Sequence, residues 1–317
     1  MQLAVVVALL LLLIAAGTSA LLANHGVARP VVLTVFVGTA TVERAGAAAT
    51  PARSGDGIGD GDAVATSSDG KASLTYPDGS ITRLDSRTRV VVHFTHNGAA
   101  SRTSLQQSAG LTWNTVRRLL GGSSFDVKGP NSAVAEVRGT RFGYYVEHDA
   151  TGNPVVWIDV YDGTVGVTGA IGSQVLAGPG QRVTVRLQSA PTVPAPIPRS
   201  DLHLSFTVFN QTIEAVSGKP IRFATGTPSA GGAAASSSLQ FDGTGDLEFV
   251  VGWPADGSDT FAVTVLQPDG SVYTSAQSTS PPLIVNISAA ARGMWTVTVR
   301  DLRSPPNEPW WLVAGRG

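Results

Sequence analysis

The feature that most constrains this chain is a period-two alternation that restarts after nearly every short turn signal. Val31, Leu33, Val35 and Val37 alternate with other residues, as do Ala72, Leu74 and Tyr76. Further along, Phe261, Val263 and Val265 form another such run, and Trp295, Val297 and Val299 a fourth. Residues at i and i+2 share a face in an extended strand, so each run predicts a strand with one buried side. Between runs stand Asp69-Gly70, Asp78-Gly79, Asn97-Gly98 and Asp162-Gly163, pairs that suit tight hairpin turns. The pattern predicts an all-β chain of antiparallel hairpins. Within the β region only 108–120 could hold a helical turn or two.

The N-terminus breaks this pattern. No side chain from Met1 through Asn24 is charged, and residues 3–16 are unbroken Leu, Val, Ala and Ile. A membrane-spanning helix needs about 20 apolar residues, and 3–23 supplies that length. Thr18-Ser19-Ala20 would equally serve as the small-residue cleavage site of a signal peptide. Either way the segment, 1–23, predicts one apolar helix and an extracytoplasmic protein, secreted or membrane-anchored. The absence of cysteine fits export on a hydrophobic core alone and removes thiolate catalysis and thiolate metal sites. The formal net charge of −1 argues against a nucleic-acid partner, whose binding would need a basic face to neutralise phosphates.

After a first β domain, expected over 24–188, four prolines fall within residues 191–198, which predicts an extended linker over 189–200. Alternation then returns, and a β-sandwich is expected over 201–317, with 227–238 as a flexible Gly/Ala/Ser loop.

A series of motifs in the first domain resembles the FecR domain, a periplasmic module of bacterial signal transducers and other exported proteins. Gly59-Asp60-Gly61-Asp62-Ala63-Val64-Ala65-Thr66 comes first, followed by Ala72-Ser73-Leu74-Thr75-Tyr76-Pro77-Asp78-Gly79-Ser80. Gly110-Leu111-Thr112-Trp113 and Phe125-Asp126-Val127 then lead to the most specific string, Ala133-Val134-Ala135-Glu136-Val137-Arg138-Gly139-Thr140-Arg141-Phe142. Asp162-Gly163-Thr164-Val165-Gly166-Val167 and Gly178-Pro179-Gly180-Gln181-Arg182-Val183 close the series. The second domain resembles, more generically, the β-sandwich modules appended to secreted bacterial proteins. The FecR resemblance implies an antiparallel β domain and, for the ferric-citrate transducer, signalling to a sigma factor. Because the apolar run begins at Leu3, no cytoplasmic segment is expected ahead of it, and that regulatory role is not carried over.

Most motif residues read as structural. Gly61 and Gly79 permit positive φ in turns, while Asp62 and Asp78 can bond the turn amides. Thr66, Val137, Thr140, Phe142, Asp162 and Gly163 are the family-matched positions around them, and Gly139 would allow a bulge or close backbone approach. Arg138, between Val137 and Gly139, should either pair with a carboxylate such as Asp62 or Asp78 or face a ligand. Internal pairing is the expectation.

Other residues suggest chemistry without supporting it. His93 and His96 lie three apart on a strand and point to opposite faces, so they cannot share one metal. Glu147-His148-Asp149 precedes Gly152-Asn153-Pro154 and reads as a hairpin tip. The carboxylates of 56–62 miss the spacing of an EF-hand loop. No nucleophile elbow, zinc-protease motif or phosphate-binding loop occurs. The sequence therefore predicts no enzyme, no cofactor and no metal site. Trp310-Trp311 are candidates for surface aromatics that stack on sugar rings, against the plainer reading as core. The expected function is non-catalytic binding or scaffolding in the bacterial cell envelope, with a protein or polysaccharide partner. The alternative is an accessory role in FecR-type signalling through a membrane partner.

Overall fold

The structure, a computed structural model, describes residues 30–97, 100–119, 121–137, 139–198, 204–226, 234–254, 259–303 and 309–317. The apolar segment 1–23 and Arg138 lie outside the described residues. Among those described, no helix is long and apolar enough to cross a membrane.

The chain is nearly all-β, with antiparallel sheets and a single α-helix among the described residues. In the first domain two layers of strands share Ala100–Thr115, which changes partners midway. Its first half pairs with Arg89–Asn97 and, in parallel, with Ser124–Lys128. Its second half pairs with Ile81–Leu84 and Arg141–His148. The change occurs at Gly110, where φ is +79° and an added Cβ would fall 2.5 Å from the Thr88 Cα. Only glycine accommodates both the left-handed backbone and that approach. The helical turn expected over 108–120 is therefore replaced, through Thr115, by strand. Cross-strand pairing on both sides of the segment outweighs its weak helical pattern. Between the layers lies an apolar core that includes Leu33, Leu74, Val90, Phe125, Phe142 and Val156.

The described part of the proline-rich segment is bonded along the strand Gln181–Arg186. Ala195 pairs with Arg182, and the Ile197 N–H donates to the Gly180 carbonyl at 2.9 Å. Beyond it comes α1, Leu204–Glu214, where the sequence reading placed only strands. Its Thr207, Val208, Thr212 and Ile213 are β-branched and favour strands in isolation. Burial over nearly its whole circumference is what makes this segment helical.

The second domain is a sandwich of two four-stranded antiparallel sheets around Phe249, Trp253, Phe261, Trp295 and Val297. The first sheet orders Lys219–Gly226, Trp310–Arg316, Leu247–Gly252 and Leu283–Ile287. Ala234–Phe241 forms an edge strand of the other sheet, correcting the flexible loop expected over 227–238 in its described part. Ser236 and Ser238 share its outward face and bond the neighbouring strand, Ser236 to Thr298 at 2.8 Å and Ser238 to Thr296 at 3.1 Å.

Candidate functional site

Two features on outer faces of the first domain concentrate polar side chains. The first is a clamp between the domains. Arg83, Trp113, Thr115 and Arg141 come from three neighbouring strands and reach the Glu214 carboxylate at the end of α1. To Oε1 donate the Trp113 indole Nε1 at 2.9 Å, the Thr115 hydroxyl at 2.7 Å and Arg83 Nη1 at 3.0 Å. Arg141 Nη1 donates to Oε2 at 3.0 Å. Burial opposes ionisation of Glu214, but the Arg83 charge and the donated hydrogen bonds prevail and hold its carboxyl below the usual range. Burial also lowers the pKa of Arg83, against the attraction of Glu214, from a value so high that it stays a cation.

Around this contact lies an aromatic shell. Phe36, Phe206, Phe209, Phe223 and Trp311 interlock, with Phe209 and Trp311 ring centroids 4.8 Å apart. Lys71, paired with Asp85, sits 5.2 to 5.4 Å from the rings of Phe206, Phe209 and Trp311. The Tyr161 and Thr207 hydroxyls meet at 3.0 Å. Trp310 and Trp311 are each only 5% exposed, which decides for the plainer reading as core over the surface-aromatic candidate. Consecutive strand residues point to opposite faces, and both faces of this strand are covered. Trp310 enters the sandwich core, while Trp311 enters the shell beneath α1.

The second feature is an open groove of about 550 Å³ on the other sheet. Across its strands Ser104, Asp126, Glu136, Gly166 and Leu176 stand in one transverse row. Asp126 accepts from Ser104 at 2.6 Å and lies 3.4 Å from Lys128 Nζ. Gly166 leaves a gap covered by the Gln174 amide, whose Nε2 would be 2.7 Å from an added Cβ. Arg102, Ser123, Ser124 and Thr164 complete the polar lining, and Phe125 and Val137 lie at its base.

The family-matched residues divide between scaffold and these two features. Asp62 is 5% exposed and accepts from the Gly59 amide at 2.9 Å and from Arg44 at 3.1 Å. Asp78 accepts from the Ser80 amide at 2.8 Å, in a turn where Gly79 has φ +82°. Gly61 has φ +81°, and Thr66 accepts from the Thr88 amide at 3.0 Å. Phe142 is core. Gly139 and Gly163 cross so closely that a Cβ on Gly163 would be 2.7 Å from the Gly139 carbonyl. Thr140 is buried beside this crossing, and Asp162 lies 3.9 Å from Arg141. The string 133–142 thus runs from the groove, through Glu136 and Val137, to the clamp at Arg141.

The other residues weighed from sequence form turns or surface pairs. Asp149 caps its hairpin, accepting from the Thr151 hydroxyl and amide and from the Asn153 amide. These bonds, that of the hydroxyl foremost, lower its pKa. His93 lies 3.3 Å from Asp60, and among the described residues no cluster of three His, Cys, Asp or Glu side chains is placed to hold a metal. Sequence reasoning missed Glu214, Arg83 and Lys71. The unmatched carboxylate at the end of an apolar stretch was the available signal.

Residues 62–166 match the family model described as FecR protein. No curated protein matches the sequence. Two crystal structures described as a "putative anti-sigma factor" from Parabacteroides distasonis ATCC 8503 are similar in part. One, at 2.50 Å resolution, is 18% identical with a TM-score of 0.37, covering 47% of this chain and 64% of that one. The other, at 1.65 Å, is 17% identical with a TM-score of 0.37, covering 50% and 68%. The chain thus spans somewhat under two thirds of the first of these proteins. By its motifs in order and the family model they match, this chain carries a FecR domain over residues 62–166.

Proposed function

We propose that this is a non-catalytic, extracytoplasmic protein of the bacterial cell envelope that binds an envelope polymer or protein. Its N-terminal apolar segment either anchors it or is cleaved on secretion. The observation that carries the reading is an open, polar groove on a FecR domain that is clamped to a sandwich by Glu214. A groove on a braced scaffold loses little conformational entropy on binding. The test of location is a reporter active only outside the cytoplasm, fused after Arg29. The expected result is activity there. A silent reporter whose cytoplasmic counterpart is active would sink the reading.

A second reading, an accessory role in FecR-type signalling through a membrane partner, is favoured by the FecR match itself. Deleting the gene should then alter the output of a sigma-factor-dependent reporter in the native host. The first reading expects no change.

A further inference from the structure

The groove holds a charge arrangement that a merely structural sheet face avoids. Asp126 stands directly opposite Glu136 in the antiparallel pair of Ser124–Lys128 and Val134–Val137. Like charges at such positions weaken strand pairing. On the other side of Glu136 the register partner is Gly166, which offers no donor. Among the described residues no side chain donates a hydrogen bond to Glu136, whereas Asp126 is engaged by Ser104 and Lys128. Places where a native fold breaks a local rule are expected to be functional or strained sites.

The surroundings select the ligand. Among the described residues, Arg102 in the lining formally balances Glu136, and Lys128 beyond the groove's edge offsets Asp126, so strong donors and acceptors stand there side by side. A cationic ligand would meet Arg102, and an anionic one Glu136. A hydroxyl both donates and accepts, and hydrogen bonds to charged groups are the stronger kind. Leu176, 65% exposed on the edge strand Val175–Ala177, adds an apolar wall suited to the C–H face of a sugar ring.

We propose that this groove binds a neutral glycan, with sugar hydroxyls donating to Glu136 and accepting from Arg102. The proposal rests on the envelope-binding reading and names its polymer. The test is affinity electrophoresis of the full chain, in mild detergent, through gels containing soluble β-glucan, galactomannan or dextran. At least one should retard the wild type, and Glu136→Ala should weaken that retardation about tenfold, as loss of one hydrogen bond to a charged group does. Removing the repulsion with Asp126 should leave the melting midpoint of Glu136→Ala level or raised, which a structural role would not do. Gly166→Leu should abolish retardation by driving its side chain and the displaced Gln174 amide into the groove. No retardation by any of the three polymers would overturn the proposal, as would retardation unchanged in Glu136→Ala. An active export reporter with a blank glycan panel sinks this inference alone, whereas a silent reporter sinks the reading beneath it.

Discussion

At the domain contact, four donors from three strands converge on the single Glu214 carboxylate. Glu214→Gln would leave Arg83, itself buried, without its counter-charge, and breaking such a pair costs about 3–5 kcal/mol. A urea melt of the chain should show the lower midpoint. The same residue sets an acid limit. Its folded pKa lies below the unfolded carboxylate value of about 4.3. Its contribution is therefore fully present above that value and is lost as pH falls through the folded one. Midpoints measured across the acid range should fall more steeply for wild type than for Glu214→Gln. Gly110 is the second sensitive residue. Gly110→Ala combines positive φ with backbone overlap at Thr88, and the strain alone should cost about 1–3 kcal/mol in a thermal melt.

Among the elements, α1 and the last strand behave differently from their sequence patterns. Helix α1 is a β-branched stretch made helical by what surrounds it, and its Phe209 touches Phe36, Phe223 and Trp311. Phe209→Ala should cost about 3–5 kcal/mol. The strand Trp310–Arg316 offers a cleaner comparison, because its first two residues face different cores. Trp310→Ala, in the sandwich core, and Trp311→Ala, in the shell beneath α1, should each destabilise the chain by about 3–5 kcal/mol. Only Trp311→Ala should also speed limited proteolysis between the domains. Equal proteolysis in the two variants would mean that the aromatic shell does not hold the domains together.

For the whole molecule, the sequence pattern suggests two β domains that fold apart. The clamp and its aromatic shell predict instead that they unfold together. Calorimetry should record one transition for the full chain and two for Glu214→Gln, the coupling having been removed. A 201–317 fragment would expose Phe206 and Phe209, which the first domain otherwise covers, and should associate or melt below the intact chain. Two transitions in the wild type would show that the interface contributes little.

What the sequence determined by itself is local. Period-two runs and Asp-Gly turns specified the strands, because side-chain alternation and positive φ are properties of a few adjacent residues. The motif strings around Gly61, Gly79 and Gly139 specified the FecR domain for the same reason. Tertiary structure decided the rest. Nothing local to Trp310-Trp311 reveals that both faces of their strand are covered, and nothing local to 204–214 outweighs its β-branched residues. The groove depends on register. Asp126 and Glu136 lie on consecutive strands and Gly166 on a later one, and they form one row only when all three strands pair in register. The clamp depends on distance, since Arg83 and Glu214 lie 131 residues apart and meet only after both domains have folded.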